Sequence, residues 1–397
     1  MKGTFFKGLL VALSFALIPV AATSAQKITP DSACKTVNQK VTYSNKTYTC
    51  IKSGKKLVWS KGVTEKKAPV SSETPAPKSG DSLSFMSSEP SEQITFSNLA
   101  KNYAYVPYVA WKKSADKIAK FQPSDVKITV LVGENTDPIN KNPSPAVTLV
   151  SRMYGDFKQA SEFVLIYYSI YDIPWAEKLV EEYIGQNGGY DTSDTVRKMC
   201  PSRNSCNAAA ALSNSVTGIG LTVVTASEQM RNDPVFNSGT LEAHEYSHTI
   251  QKKQYFGRMP QGLAPPQWLT EGGAEFIQTA SVHNQSFDNY LTDRKRVTEE
   301  LYKFKNFDSN WLNAFLNPAK LGTDWDLWKS YYGFRVYDVG FMTSEILVAI
   351  AGPNSIMEIF KLMGDGLSFQ DSFFKIFGVK WDSAIKTITS VLAGQIG

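Results

Sequence analysis

Apolar residues follow four different patterns along this chain. From Leu9 to Val20 they run almost unbroken, behind Lys2 and Lys7 and ahead of the small residues Thr23, Ser24 and Ala25. Between 31 and 62 they alternate with polar residues in "KVTYSNKTYTC" and "KKLVW", while "SNK" and "SGK" supply turns; this predicts short strands. Between 63 and 92 large apolar residues are scarce and Pro, Ser and charge dominate, the composition of a disordered linker. Order is expected to resume near Ile94, where helical and strand periods begin to alternate.

Helical spacing covers 97–121 and the strand "VKITVLVGE" (126–134) follows. A helix around 146–158 precedes the strand "EFVLIYYSI" (162–170), and Pro174 opens a helix to 185. A polar, glycine-bearing stretch then leads to the strand "GIGLTVVTAS" (218–227). Everything after 238 predicts helix, and "SIMEIFKLMG" and "FQDSFFKIFG" have the spacing of core-forming helices. The fold class expected is α+β: a mixed sheet followed by a mainly helical half, with 238–255 at the join and a small β-rich module near the N-terminus.

The first 25 residues have the layout of a secretory signal peptide cleaved after Ala25. Their apolar core is shorter than the roughly 20 residues of a membrane span, and no later stretch is long and apolar enough to be one. The expected divisions are a signal peptide (1–25), a disulfide-stapled module (26–62), a linker (63–92) and one large domain (93–397). Four cysteines fall into two close pairs, Cys34 with Cys50 and Cys200 with Cys206. Neither pair has zinc-knuckle spacing, so in an oxidising compartment they predict two local disulfides. The 26–62 module is too small for a self-sufficient core and needs its staple. It resembles short Cys-and-Trp modules of secreted bacterial proteins, which makes a spacer the expected role and contact with cell wall or surface the alternative. The net charge of +5 is spread along the chain without a basic stripe, so nothing in the sequence supports a nucleic-acid partner and none is expected.

The chain has three histidines, and two of them stand in "LEAHEYSHTIQKK". His244 and His248 are one helical turn apart, share a face and can aim at one point, with Ser238 or Thr240 available as a cap. Imidazole nitrogen suits Zn2+, and Glu245, beside that face, can reach a metal-bound water whose pKa the ion lowers to about 7. A third ligand from an H-x-x-G-x-x-H continuation is excluded, because Gln251 and Gln254 occupy the Gly and second His positions. Glu271 in "PPQWLTEGGAEFIQTA" supplies it instead, from a second helix. Gly272 and Gly273 would let that helix lie close against the first, and Glu275, one turn on, could accept the other ring N–H of a ligating histidine.

"HEYSH" followed by "WLTEGGAEF" resembles the gluzincin (HExxH…E) zinc metallopeptidases, with the wording nearest to their M1 aminopeptidase-like and peptidase MA-like members. Tyr337-x-x-Gly340 in "YYGFRVYDVGFMTSEILVAIAG" lies where such enzymes carry the tyrosine that steadies the tetrahedral intermediate. The resemblance covers about 238–395. It implies one Zn2+ per chain held by His244, His248 and Glu271, Glu245 as general base, and Tyr337 as oxyanion donor with Tyr332 in reserve. The Gly-x-Met-Glu-Asn motif that grips a free N-terminus is absent, which points to an endopeptidase. The strand near 218–225 could then be a sheet edge that pairs with an extended peptide. His283 reads as a surface residue, and Arg335 with Asp338 as a solvated pair. The function expected is a secreted zinc-dependent peptidase acting on peptides or proteins. An inactive peptide- or wall-binding protein and a zinc hydrolase of other amides or esters are the alternatives.

Overall fold

The computed structural model describes residues 29–43, 46–62, 85–185, 192–214, 216–231, 233–303, 308–317 and 325–396, the last without the side chains of 325–334. The expected signal peptide and most of the expected linker lie outside these residues. Contacts divide the chain into two units, Met1–Glu73 and Thr74–Gly397.

In the first unit three short strands, β1 (Lys40–Tyr43), β2 (Lys46–Ser53) and β3 (Lys56–Trp59), form an antiparallel sheet in sequence order. Its core is small: Tyr48, Cys50 and Trp59 are buried, with Cys34 and Leu57 packed against them. The Cys34–Cys50 disulfide joins the segment ahead of β1 to the central strand, as the cysteine spacing predicts.

The second unit opens with the helices α1 (Leu99–Asn102) and α2 (Val106–Lys120). Then come β4 (Lys127–Val132), α3 (Ser144–Met153), β5 (Glu162–Tyr168), α4 (Ile173–Tyr183), α5 (Asp194–Met199), β6 (Ala209–Ser213) and β7 (Gly220–Thr225). The sheet order is β4-β5-β7-β6, with β4, β5 and β7 parallel and β6 antiparallel to β7. Alternation along β5 explains its place at the centre. Phe163, Leu165 and Tyr167 face the large core shared with the helical half, while Val164, Ile166 and Tyr168 face a smaller core with α4 and Val196 of α5. The Cys200–Cys206 disulfide closes the loop between α5 and β6.

Two expectations are corrected here. β7 is an interior strand, because β6 pairs along its outer side; the edges are β4 and β6. Packing of the large unit also begins before Ile94. The Met86 N–H donates to the Ala104 carbonyl (2.9 Å), and the Arg294 guanidinium lies 4.5 Å over the Phe85 ring.

After β7 the described chain is helical: α6 (Pro234–Asn237), α7 (Thr240–Tyr255), α8 (Gln267–Val282), α9 (Phe287–Lys303), α10 (Ser309–Leu316), α11 (Trp325–Ala351), α12 (Asn354–Gly364), α13 (Phe369–Phe377) and α14 (Trp381–Ile396). Among the described residues no single helix is long and apolar enough to cross a membrane. The apolar pair Arg335–Ala351 and Asn354–Gly364 is bent by 99° and its side chains are mostly buried in the core. The closest helix crossing joins α8 to α11. A Cβ on Gly272 would lie 2.2 Å from the Gly340 Cα, and one on Gly340 would lie 2.2 Å from the Trp268 carbonyl oxygen. Gly272 therefore serves α11 rather than α7, correcting the expected partner. A Cβ on Gly273 would make only ordinary contacts with Ile356, Gln251 and Ser344.

Candidate metal centre

α7 is buried on nearly every side, so its polar residues must find partners inside the protein. It begins after Gly239, whose φ of 87° takes the capping position where Ser238 or Thr240 was expected. Three side chains tie it down. The Tyr167 hydroxyl donates to Glu242 (2.6 Å), the Tyr246 hydroxyl donates to Gln159 (2.7 Å), and the Gln254 amide donates to the Lys158 carbonyl (2.8 Å). Burial pushes the Glu242 pKa up, and its bond from Tyr167 offsets part of that.

Within this frame His244, His248 and Glu271 converge, each offering one donor atom, with the three atoms within 4.8 Å of one another. The two Nε2 atoms are 3.0 Å apart. Glu271 Oε2 lies 3.5 Å from His244 Nε2 and 3.3 Å from His248 Nε2. A tetrahedral ion with bonds of about 2.0–2.1 Å separates its donor atoms by about 3.3 Å, so the triangle has the size such an ion requires.

The surrounding hydrogen bonds fix which nitrogens face inward. The Thr270 carbonyl can only accept, so the Gln251 amide nitrogen, 3.0 Å away, donates to it. That leaves the Gln251 carbonyl oxygen 2.9 Å from His248 Nδ1, which must carry the proton. His244 Nδ1 lies 3.6 Å from the Glu275 carboxylate, which favours a proton there too. With both protons outside, two ring lone pairs and a carboxylate oxygen point at one another with no hydrogen between them. A cation relieves that arrangement. Without one, the site must bind a proton. Burial lowers the His244 pKa, but the Glu271 hydrogen bond and the charges of Glu275, Glu245 and Glu271 outweigh it and raise the value to about 9. Burial likewise works against ionised Glu271, yet the two histidines hold its carboxyl well below the usual range.

Glu275 is half-buried against His244, and Gln278 Nε2 donates to its other oxygen (2.6 Å). Its pKa is raised by burial, with His244 and Arg296 opposing. Glu245 is buried, and its charge is close enough to raise the pKa values of both His244 and Tyr337. The Tyr337 ring lies at a tilt 6.1 Å from His244. Burial, then the Glu271, Glu245 and Glu275 charges, push the Tyr337 phenol far up, so it stays protonated and remains a donor. Tyr332 has its side chain outside the described residues.

The histidines, Glu245, Glu271, Glu275 and Tyr337 are thus brought together. Three residues expected to be solvated are less exposed than that. His283 is half-buried, with Nε2 3.4 Å from Asp293, and its carbonyl accepts from the Trp111 indole. Arg335 and Asp338 form a buried ion pair at 3.0 Å. Gln251 and Gln278 hold the inner ring of the site without having been expected to. Their signal is their place one turn beyond His248 and Glu275 respectively.

No family model matches this sequence, and no curated protein or solved structure matches it.

Proposed function

We propose that the protein is an exported zinc-dependent peptidase in which His244, His248 and Glu271 hold one Zn2+ and Glu245 acts as the general base. The observation that carries this reading is the convergence of three potential ligand atoms within 4.8 Å of one another, with Glu245 next to the first of them in sequence. Two imidazoles and a carboxylate in a tetrahedral-sized triangle suit zinc better than Mg2+ or Ca2+, which take mostly oxygen ligands. A bound Zn2+ supplies Lewis-acid polarisation of a carbonyl and brings the pKa of water to about 7.

The chain's own residues do the rest. Glu245 accepts the proton of the attacking water and returns it to the leaving amine. Tyr337, kept protonated by its surroundings, donates a hydrogen bond to the oxyanion that develops on the scissile carbonyl. Glu275 and Gln251 hold the two imidazoles in the tautomers that leave Nε2 free. Two disulfides and the apolar run at 9–20 support export. The absence of the N-terminus-gripping motif supports internal cleavage, and of the two edge strands a peptide could pair with, β6 is the one packed on α7.

Hydrolysis of a denatured protein by the parent and by Glu245→Gln tests the reading. Replacing a general base is expected to lower the rate by about 10²–10⁴-fold while zinc content is unchanged. Equal rates in the two proteins overturn the assigned base.

A further inference from the structure

A cavity of about 190 Å3 lies between the last turn of α7, the β6–β7 turn and the loop ahead of β5. Among the described residues its ionisable lining side chains are Lys158, Lys252, Lys253 and Arg258, with no carboxylate. Lys252 Nζ donates to the Ala211 carbonyl of β6 (2.7 Å), and Arg258 is paired with Asp365 outside the cavity (3.1 Å). Lys158 and Lys253 make no side-chain hydrogen bond or ion pair with any described residue. Gly218, at φ 74°, leaves the space that the Lys253 ammonium fills; a Cβ there would lie 2.2 Å from Nζ. Among the described residues, the Lys158 and Lys253 ammonium groups therefore have hydrogen bonds to give.

Its position relates it to the metal centre. Thr249, Lys252 and Phe256 follow Glu245 at four, seven and eleven residues, so they continue the helix face on which Glu245 stands. At about 1.5 Å per residue, Lys252 is about 10 Å along the axis from Glu245. An extended peptide advances about 3.3 Å per residue, so that distance corresponds to about three residues.

We propose that this cavity recognises a carboxylate on the bound peptide about three residues from the bond that is cleaved. The identity of the occupant rests on the peptidase reading; the anion site itself does not. The rival account is that Lys252 and Lys253 only complement the C-terminal end of the helix dipole, which predicts no preference for an acidic peptide.

The test is equilibrium binding of labelled peptides to the full chain carrying Glu245→Gln, so that nothing is cleaved. Three peptides are compared: one amidated with Glu at the third position on either side of the centre, its Gln counterpart, and the Gln peptide with a free C-terminal carboxylate. A carboxylate-bearing peptide is expected to bind about tenfold more tightly than the amidated Gln peptide at low salt. In the same background with Lys158→Met and Lys253→Met that ratio should fall toward one. Preference for the Glu peptide assigns an acidic side chain, and preference for the free C-terminus alone assigns the terminal carboxylate. Equal binding of all three, or a preference that survives both substitutions, overturns the proposal. If the preference is present but the parent cleaves none of the peptides, the cavity stands and the peptidase reading falls. Cleavage without any charge preference does the reverse.

Discussion

Gln251 decides which nitrogen of His248 faces the metal centre, because its own amide is oriented by the Thr270 carbonyl. Replacing it by leucine removes the acceptor at Nδ1 and lets the ring take either tautomer. The expected result is a 10–100-fold weaker zinc affinity, measured by competition with a chelator, with partial recovery in Gln251→Asn. An affinity equal to the parent's contradicts the tautomer argument. The main residues of this site are legible in the sequence, since a helix brings i and i+4 to one face whatever surrounds it. Gln251 was legible only as a departure from another motif. Its role depends on a side-chain orientation set by α8, and no local pattern encodes that. The burial of Arg335 and Asp338 is hidden from the sequence for a related reason: their spacing gives an ion pair, while their burial comes from the elements packed around α11.

At the scale of elements, the crossing of α8 and α11 places Tyr337 beside Glu271. Gly340 stands one turn after Tyr337, and Gly272 follows Glu271 directly. Gly272→Ala puts a methyl group 2.1 Å from the Gly340 carbonyl carbon, so the helices must part. Overpacking of this kind costs about 3 kcal/mol, which a urea titration would register; unchanged stability would contradict the close crossing. The loops at the ends of β4 and β5 depend on Asp172. Burial works against its charge, but hydrogen bonds from Thr136, Asn135 and Ser169 outweigh that and lower its pKa to about 2. A depressed carboxyl stabilises the fold above its unfolded pKa and loses that contribution as pH falls toward 2. Asp172→Ala should therefore be less stable than the parent by about 3 kcal/mol at pH 7, and the gap should narrow below pH 4. A gap independent of pH would contradict this.

The strands β4, β5 and β7 were legible because their branched and aromatic runs are bounded by turn residues. β6 was not: "AAALS" has little strand propensity and is held by pairing with β7. Without β6, β7 could be taken for the sheet edge. The short helix α5 was hidden in the same way, within a polar stretch that offers few apolar positions.

At the scale of the whole molecule, the composition separates a small module from a large domain, and the contacts divide the chain inside the expected linker. Composition averaged over thirty residues could not show that Phe85 covers the buried Arg294–Glu345 ion pair's guanidinium. A fragment starting at residue 85 should therefore be more stable than one starting at 93, by about 1 kcal/mol for the lost cation–π contact alone. Equal thermal midpoints would show that the contact contributes nothing.

The most direct test of the metal centre is the zinc content per chain of the 85–397 fragment, after zinc loading and dialysis, beside the same fragment carrying Glu271→Ala. One zinc in the parent and a marked loss in the variant is the predicted result. A folded parent that holds no zinc would contradict the account and leave "HEYSH" as part of a structural helix.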